Sequence, residues 1–419
     1  MKLLFIAHAS SYSETSSKPV LHLAPWVEAL CLALAQEKEI ELGLLFQCQF
    51  ARSDNFALDN VQYFSLSTGL SSPLKKWWYK FSNAIHIPKA HQRYKQVLQV
   101  FKPDAICVFG TEFAFAEIVN CTQVPVVLHI QSLVNPYLKA WYSTGITNKI
   151  ASSNTNKFNY LKGAGVLHAH QRFVKQAKRE SEMLKQIKFV MGRTNWDRRE
   201  VLQLAPQAKY FHVDEIMRAV FYASSFRVNS IAKHLITAIN PNVYKGLDLI
   251  FETAAALELG ADTPIEWTIA GIEASSEVIE MARAAAKAQP KRIQLKFLGP
   301  LSAQELLNHM LAADIYVHAS AIENSSNSIC EAMLVGMPVV ALNTGGTSSL
   351  IEHGITGLLV ETAQADAMAD TIRDIIGNFN KRIQLSAAAR ERAKVRHSQE
   401  KIVTDLVQVF KACIKQNAN

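Results

Sequence analysis

Short apolar runs recur along this chain, each followed by a helix-forming stretch, and that alternation limits the fold more than any other feature. In the first half, Leu3–Ala7, Ile40–Phe46, Ala105–Phe109 and Val124–Ile130 are β-rich and apolar. Helical periodicity fills Pro25–Glu37 and Ala90–Phe101 between them. Strands apolar on both faces belong to parallel sheets covered by helices on each side. The second half repeats the pattern, with strands at Leu235–Ala238, Glu266–Ala270, Ile293–Leu298, Ile315–His318, Pro338–Leu342 and Ile355–Val360. Helices at Gly246–Leu259, Ser275–Lys287, Ala303–Ala313, Ser328–Gly336 and Ser348–His353 alternate with them, and 363–416 is largely helical. The expected fold class is α/β, with two Rossmann-like domains facing across a cleft. We place one domain at 1–222, a second at 223–396, and a terminal helix at 397–419 that crosses back to the first. With 419 residues, 49% of them hydrophobic, the chain has material for two such cores. The stretch 136–190 fits the alternation less well, being polar, basic and helix-prone.

Several function classes are disfavoured at once. No apolar run approaches the ~20 residues needed to cross a bilayer, and the apolar start at Leu3–Ala7 is too short for a signal peptide. A cytoplasmic protein is expected. The six cysteines are scattered, with no CxxC and no Cys/His cluster, so reduced thiols are expected and no zinc site. There is no DxD, no GxxxxGK[ST] and no GxGxxG, which argues against metal-dependent transfer, nucleotide hydrolysis and dinucleotide redox chemistry. Neither a metal nor a cofactor is expected. His168-Ala169-His170 lacks a nearby carboxylate and is expected at the surface.

Charge is uneven. Residues 1–210 carry a net +11 and residues 211–419 a net −3, within an overall +8. A basic half suits an anionic partner. Lys75-Lys76-Trp77-Trp78-Tyr79-Lys80-Phe81 interleaves cations with aromatics, a pairing that settles at lipid headgroups. The competing reading is a helix whose rings pack into the core beneath solvated lysines. Peripheral contact with an anionic membrane on the cytoplasmic face is preferred. No nucleic-acid module is present, and nucleic acid is not an expected partner.

Ligands of open parallel sheets gather at the carboxyl ends of strands, beside helix N-termini. The densest such point is Glu323-Asn324-Ser325-Ser326-Asn327, between the strand ending at His318 and a helix starting near Asn327 or Ser328. Glu323 and Glu331, eight residues apart, suit the hydroxyls of a sugar or ribose. Such spacing also arises by chance, and small polar clusters ordinarily just cap helices. A second glycine turn, Gly345-Gly346-Thr347, follows the strand Pro338–Leu342 and opens onto another helix. Two anion-friendly turns around two carboxylates fit a nucleotide-diphosphate sugar.

Glu323-x7-Glu331-Ala-Met, Gly336-x-Pro338-Val-Val-Ala, Gly345-Gly346 and Gly354-x-x-Gly357-Leu-Leu-Val together resemble the donor site of GT-B retaining glycosyltransferases of the family 4 type. Lys245-Gly246, Ala270-Gly271 and Leu298-Gly299-Pro300 fall in the family's order. The resemblance implies a metal-independent hexosyl transfer from a nucleotide sugar to a saccharide, lipid-linked in one form, in cell-envelope polysaccharide synthesis. It assigns Glu331 to the ribose, Glu323 to the donor sugar and Lys245 to the leaving diphosphate. Amides from Asn324, Ser325, Ser326 and Asn327, and from Gly346 and Thr347, are expected to serve sugar and diphosphate, with Gly345, Gly271 and Gly299 in the donor site. His129 resembles the first domain's histidine that reaches the donor sugar, although a strand-end histidine is often structural. Glu112, Ser10 and Ser11 are the acceptor-side candidates. Two departures stand out: Ile239-Asn240-Pro241-Asn242 replaces the arginine expected upstream of Lys245, for which Arg193 is a candidate substitute, and the first loop has no glycine pair. Two alternatives remain: a catalytically degenerate scaffold subunit, and a nucleotide-sugar epimerase on the same fold.

Overall fold

The structure is a computed structural model and describes every residue except 10, 15–18, 49–54, 59, 68, 69, 71, 86, 88, 143, 260–264, 418 and 419. The chain forms two compact units. Met1–Pro136, Gln171–Ile216 and His397–Asn419 make the first; Tyr137–His170 and Met217–Arg396 make the second.

The first unit is built on an eight-stranded sheet. Its order is Lys209–His212, Phe189–Gly192, Val126–His129, Ala105–Phe109, Lys2–His8, Glu41–Cys48, Val61–Ser67 and Asn55–Leu58. All neighbours are parallel except the last pair. The central strands are buried on both faces, as their unbroken apolar runs require: Leu3 to Ile6 and Ala105 to Phe109 are all buried. Pro25 sits at the start of the helix Pro25–Leu34, where its missing N–H costs no hydrogen bond. The terminal helix Gln399–Asn417 buries Ile402, Leu406, Phe410 and Cys413, and Phe410 lies 6.4 Å from the ring of Phe5. Sequence reading did not anticipate Val61–Ser67, Asn55–Leu58, Phe189–Gly192, Lys209–His212 or the hairpin Ser11–Glu14 with Pro19–His22. Lys209–His212 shows why: it is a four-residue edge strand with no buried residue and two basic ones, a composition that protects an edge but hides the strand.

The second unit carries a six-stranded, wholly parallel sheet. Its order is Leu295–Phe297, Glu266–Ala270, His234–Ala238, Ile315–His318, Val339–Leu342 and Leu358–Val360. Chain order therefore reverses between His234–Ala238 and Ile315–His318, the kind of position where open parallel sheets bind ligands. Among its described residues, the stretch Tyr137–His170 has no strand of its own, and it is tied to this sheet's helices. The Gly145 amide donates to the Asp248 carboxylate, and the Asn156 and Val166 amides donate to Glu277 at 3.0 and 2.8 Å.

Two surface expectations meet different ends. His168 is buried rather than exposed, because the helix Val166–Leu184 turns its ring onto Tyr160, whose carbonyl lies 3.0 Å from Nε2. The helix Pro73–Phe81 buries none of its residues, so its rings do not form part of a core.

Candidate active site

The second unit's switch point brings together residues far apart in sequence. After the strand His234–Ala238 the chain makes a tight turn at Val243–Lys245 and passes through Gly246, whose φ is +70°. A Cβ there would overlap the Ala319 carbonyl, so glycine lets this loop run against the loop that follows Ile315–His318. The Ala321 amide seals the contact by donating to the Tyr244 carbonyl at 2.9 Å. Lys245 is thereby placed to pair with Glu323, Nζ to Oε1. His318 Nε2 lies 3.4 Å from the same oxygen. Neither ring nitrogen of this buried imidazole makes a well-formed hydrogen bond among the described residues.

Burial alone would push the Glu323 carboxyl up; the Lys245 ammonium and His318 outweigh it and hold the group down to about 2. Side-chain exposure is 13% for Lys245 and 8% for Glu323, so the attraction is poorly screened by water. The cluster is an ionised carboxylate with a lysine and a buried imidazole against it, at a strand end.

The glycine turn after Val339–Leu342 closes on the same loop. Gly345 has φ +55°, and a Cβ on it would overlap the Glu323 carbonyl. The Gly346 amide donates to that carbonyl at 2.8 Å, and the Thr347 amide donates to Thr344 at 3.1 Å. These two amides, expected to face an anion, are thus engaged within the protein, and the turn instead fixes the Glu323 backbone. Asn324, Ser325 and Ser326 are buried in the intervening loop. Asn327 is the first residue of the helix Asn327–Val335, and Ser326 caps it without a side-chain bond. The Asn324 amide donates to the Tyr137 hydroxyl at 3.1 Å, so a residue from the basic mid-chain stretch lines this loop. Gly271 donates to the Gly299 carbonyl at 2.7 Å, joining the ends of the next two strands.

Glu331 lies within that helix and is 2% exposed. Arg218 meets it fork to fork, with Nε to Oε1 and Nη2 to Oε2 both at 2.7 Å. Burial raises the Glu331 carboxyl, and Arg218 opposes that rise. In the sequence, Arg218 ends the run Asp214-Glu215-Ile216-Met217-Arg218, which reads equally as an ion-paired domain boundary or as a ligand contact, and His318 reads only as a strand end; Tyr137 is not singled out at all. A cation just after the first unit's last strand was the available signal for Arg218, whereas its partner lies 113 positions away.

In the first unit, His129 ends the strand Val126–His129 and is fully buried, 4.8 Å from the Trp26 ring centroid. Burial, with Arg193 adding to it, pushes the imidazole down to about 3, so it is a neutral hydrogen-bonding group and not a cation. Arg193 donates to the Gln131 carbonyl at 2.8 Å and stacks 4.7 Å over Trp26. Glu112 accepts from the Ser132 hydroxyl, and its other carboxylate oxygen is shielded from solvent. Burial raises its carboxyl. Ser11 opens the strand Ser11–Glu14, and Ser10 lies outside the described residues.

Residues 234–392, the stretch that holds Lys245, Glu323 and Glu331, match the model of the family described as glycosyl transferases group 1. The matched stretch lies wholly within the second unit. Among curated proteins, the chain is 30% identical over 181 residues to D-inositol 3-phosphate glycosyltransferase of Corynebacterium urealyticum, covering 40% of each chain. It is 28% identical over 102 residues to a GDP-mannose-dependent alpha-(1-6)-phosphatidylinositol monomannoside mannosyltransferase of Mycobacterium tuberculosis, covering 23% of this chain and 26% of that one. The match thus spans less than half the length of these relatives. Solved structures extend the likeness over the whole fold. Sucrose-phosphate synthase of Thermosynechococcus elongatus superposes with a TM-score of 0.70 at 14% identity, covering 99% of both chains. Anabaena HepE in complex with UDP gives 0.62 at 15%, covering 98% of this chain and 100% of that one. The fold of the chain is GT-B, with two Rossmann-like domains.

Proposed function

We propose that this protein is a retaining, metal-independent glycosyltransferase that moves a hexosyl group from a nucleotide-diphosphate sugar to a saccharide hydroxyl. The observation that carries the reading is the Lys245–Glu323–His318 cluster at the second unit's switch point, inside the family-matched stretch. Glu323 is held ionised there, so it can exchange Lys245 for ligand hydroxyls without giving up a proton. Lys245 faces the charge that builds on the departing diphosphate. Glu323 accepts hydrogen bonds from sugar hydroxyls and orients the reacting carbon. Glu331 takes the ribose. His129 supplies a neutral imidazole from the first unit, and Glu112 stands on the acceptor side.

We further propose that the acceptor is a lipid-linked saccharide of cell-envelope polysaccharide synthesis, met at an anionic membrane. Support comes from the helix Pro73–Phe81, which carries Lys75, Lys76 and Lys80 and leaves Leu74 73% and Trp78 62% exposed. No helix among the described residues is long and apolar enough to cross a membrane, so the contact is peripheral in this reading.

The test is proton NMR of the sugar released when purified protein turns over a nucleotide sugar in EDTA. An anomer that matches the donor's own, seen before mutarotation, supports retention without a metal. The opposite anomer removes retention, and turnover that EDTA abolishes removes metal independence.

A further inference from the structure

A carboxylate as buried as Glu331 stays ionised only where a cation or several donors face it. Arg218 is that partner, with both guanidinium bonds at 2.7 Å to separate oxygens. The guanidinium is itself fixed from behind, 4.9 Å over the ring of the fully buried Phe221, which sets the plane of the fork. A carboxylate offers about four lone-pair sites. Arg218 uses two, and the two left over equal the number of O–H donors on a vicinal diol.

We propose that Arg218 is the positioning residue of a ribose subsite: it fixes the plane and the charge of Glu331 so that the remaining lone pairs receive the 2′- and 3′-hydroxyls of a nucleoside diphosphate. This rests on the reading of the second unit as a nucleotide-sugar site, and it adds to that site a residue from outside the family-matched stretch 234–392. The opposite role, a lid on Glu331 that ribose must push aside, makes the opposite prediction for removal of the arginine.

The experiment is calorimetric titration of the full chain with UDP, GDP, ADP and their 2′-deoxy counterparts, in the native protein and in Arg218→Gln, Arg218→Lys and Glu331→Gln. In the native protein the tighter-binding ribonucleotide is expected to exceed its 2′-deoxy form by about tenfold or more, the effect of one hydrogen bond to a charged acceptor. Arg218→Gln and Glu331→Gln both bring that ratio to within about threefold of unity. Arg218→Lys, which keeps the charge but not the fork, falls between. The ratio compares two ligands on one protein sample, so a partly unfolded variant does not distort it. An unchanged ratio in Arg218→Gln, with the ratio lost in Glu331→Gln, overturns the positioning role and leaves the nucleotide site standing. Tighter ribonucleotide binding by Arg218→Gln overturns it in favour of the lid. Failure of the native protein to bind any of the three ribonucleotides overturns the ribonucleotide reading and the subsite together.

Discussion

Replacing Lys245 by methionine keeps the length of the side chain and removes its charge, leaving Glu323 buried with only His318 beside it. The native pairing holds the Glu323 carboxyl at about 2 against an ordinary 4.5, and at ~1.4 kcal/mol per unit that depression is worth about 3 kcal/mol at neutral pH. The figure agrees with the roughly 3–5 kcal/mol that removal of one partner from a buried ion pair costs. For a unit of this size the loss corresponds to a fall of ~6–12 °C in the second unit's melting temperature. The sign with pH is fixed. A depressed carboxylate contributes its stability above the unfolded value and loses it as pH falls, so the gap between native protein and Lys245→Met closes between about 4.5 and about 2. Urea unfolding followed by tryptophan fluorescence across about pH 2 to 7, which spans this window, reads both quantities. Glu323→Gln in the Lys245→Met background should restore most of the loss, because the unpaired charge is then gone. A gap below about 0.5 kcal/mol at pH 7, or one that does not change with pH, refutes the account of this pair.

Other consequences follow from single contacts. Gly345→Ala places a side chain at φ +55° and onto the Glu323 carbonyl, so a loss of more than about 2 kcal/mol and of donor binding is expected by denaturation and calorimetry. Tyr137→Phe removes the acceptor of the Asn324 amide; donor KM should rise by about 5-fold, with kcat nearly unchanged in steady-state assays, for a bond worth ~1 kcal/mol. His129 is held neutral down to about 3, against about 6.5 unfolded, so stability is lost as pH falls below 6.5, by ~1.4 kcal/mol per unit. His129→Asn should remove that slope in acid-unfolding measurements. Charge reversal at Lys75, Lys76 and Lys80 should weaken sedimentation with phosphatidylserine vesicles by about 5-fold or more per residue, while leaving sedimentation with neutral vesicles unchanged.

Much of the second unit was legible because its strands are buried on both faces and announce themselves as apolar runs. Ile315–His318 stands where its residues predict, and Pro338–Leu342 differs only in that Pro338, lacking an N–H, precedes the strand Val339–Leu342. Ala90–Phe101 and Ala105–Phe109 in the first unit also match to the residue. Lys245 could be found because Gly246 beside it is forced by the Ala319 carbonyl, Glu323 because Gly345 is forced against its own carbonyl, and Glu331 by its spacing from Glu323 into the helix Asn327–Val335. Arg218, Tyr137 and His318 could not, since their roles come from partners that only the fold brings near. Arg218 meets Glu331 because a loop before a short helix passes the helix Asn327–Val335, a juxtaposition that no periodicity encodes. The glycine turn at Gly345-Gly346 shows the converse: sequence located it, but only the structure showed that the Gly346 amide secures the Glu323 carbonyl.

The most direct test of the central claim is calorimetric titration with UDP-, GDP-, ADP- and dTDP-sugars in EDTA, for native protein and for Lys245→Ala. The account predicts that one nucleotide family binds without metal and that Lys245→Ala weakens it by about tenfold or more, the effect of a lost charged hydrogen bond to phosphate. No binding by any donor, or binding that Lys245→Ala leaves untouched, would contradict a donor site at the second unit's switch point.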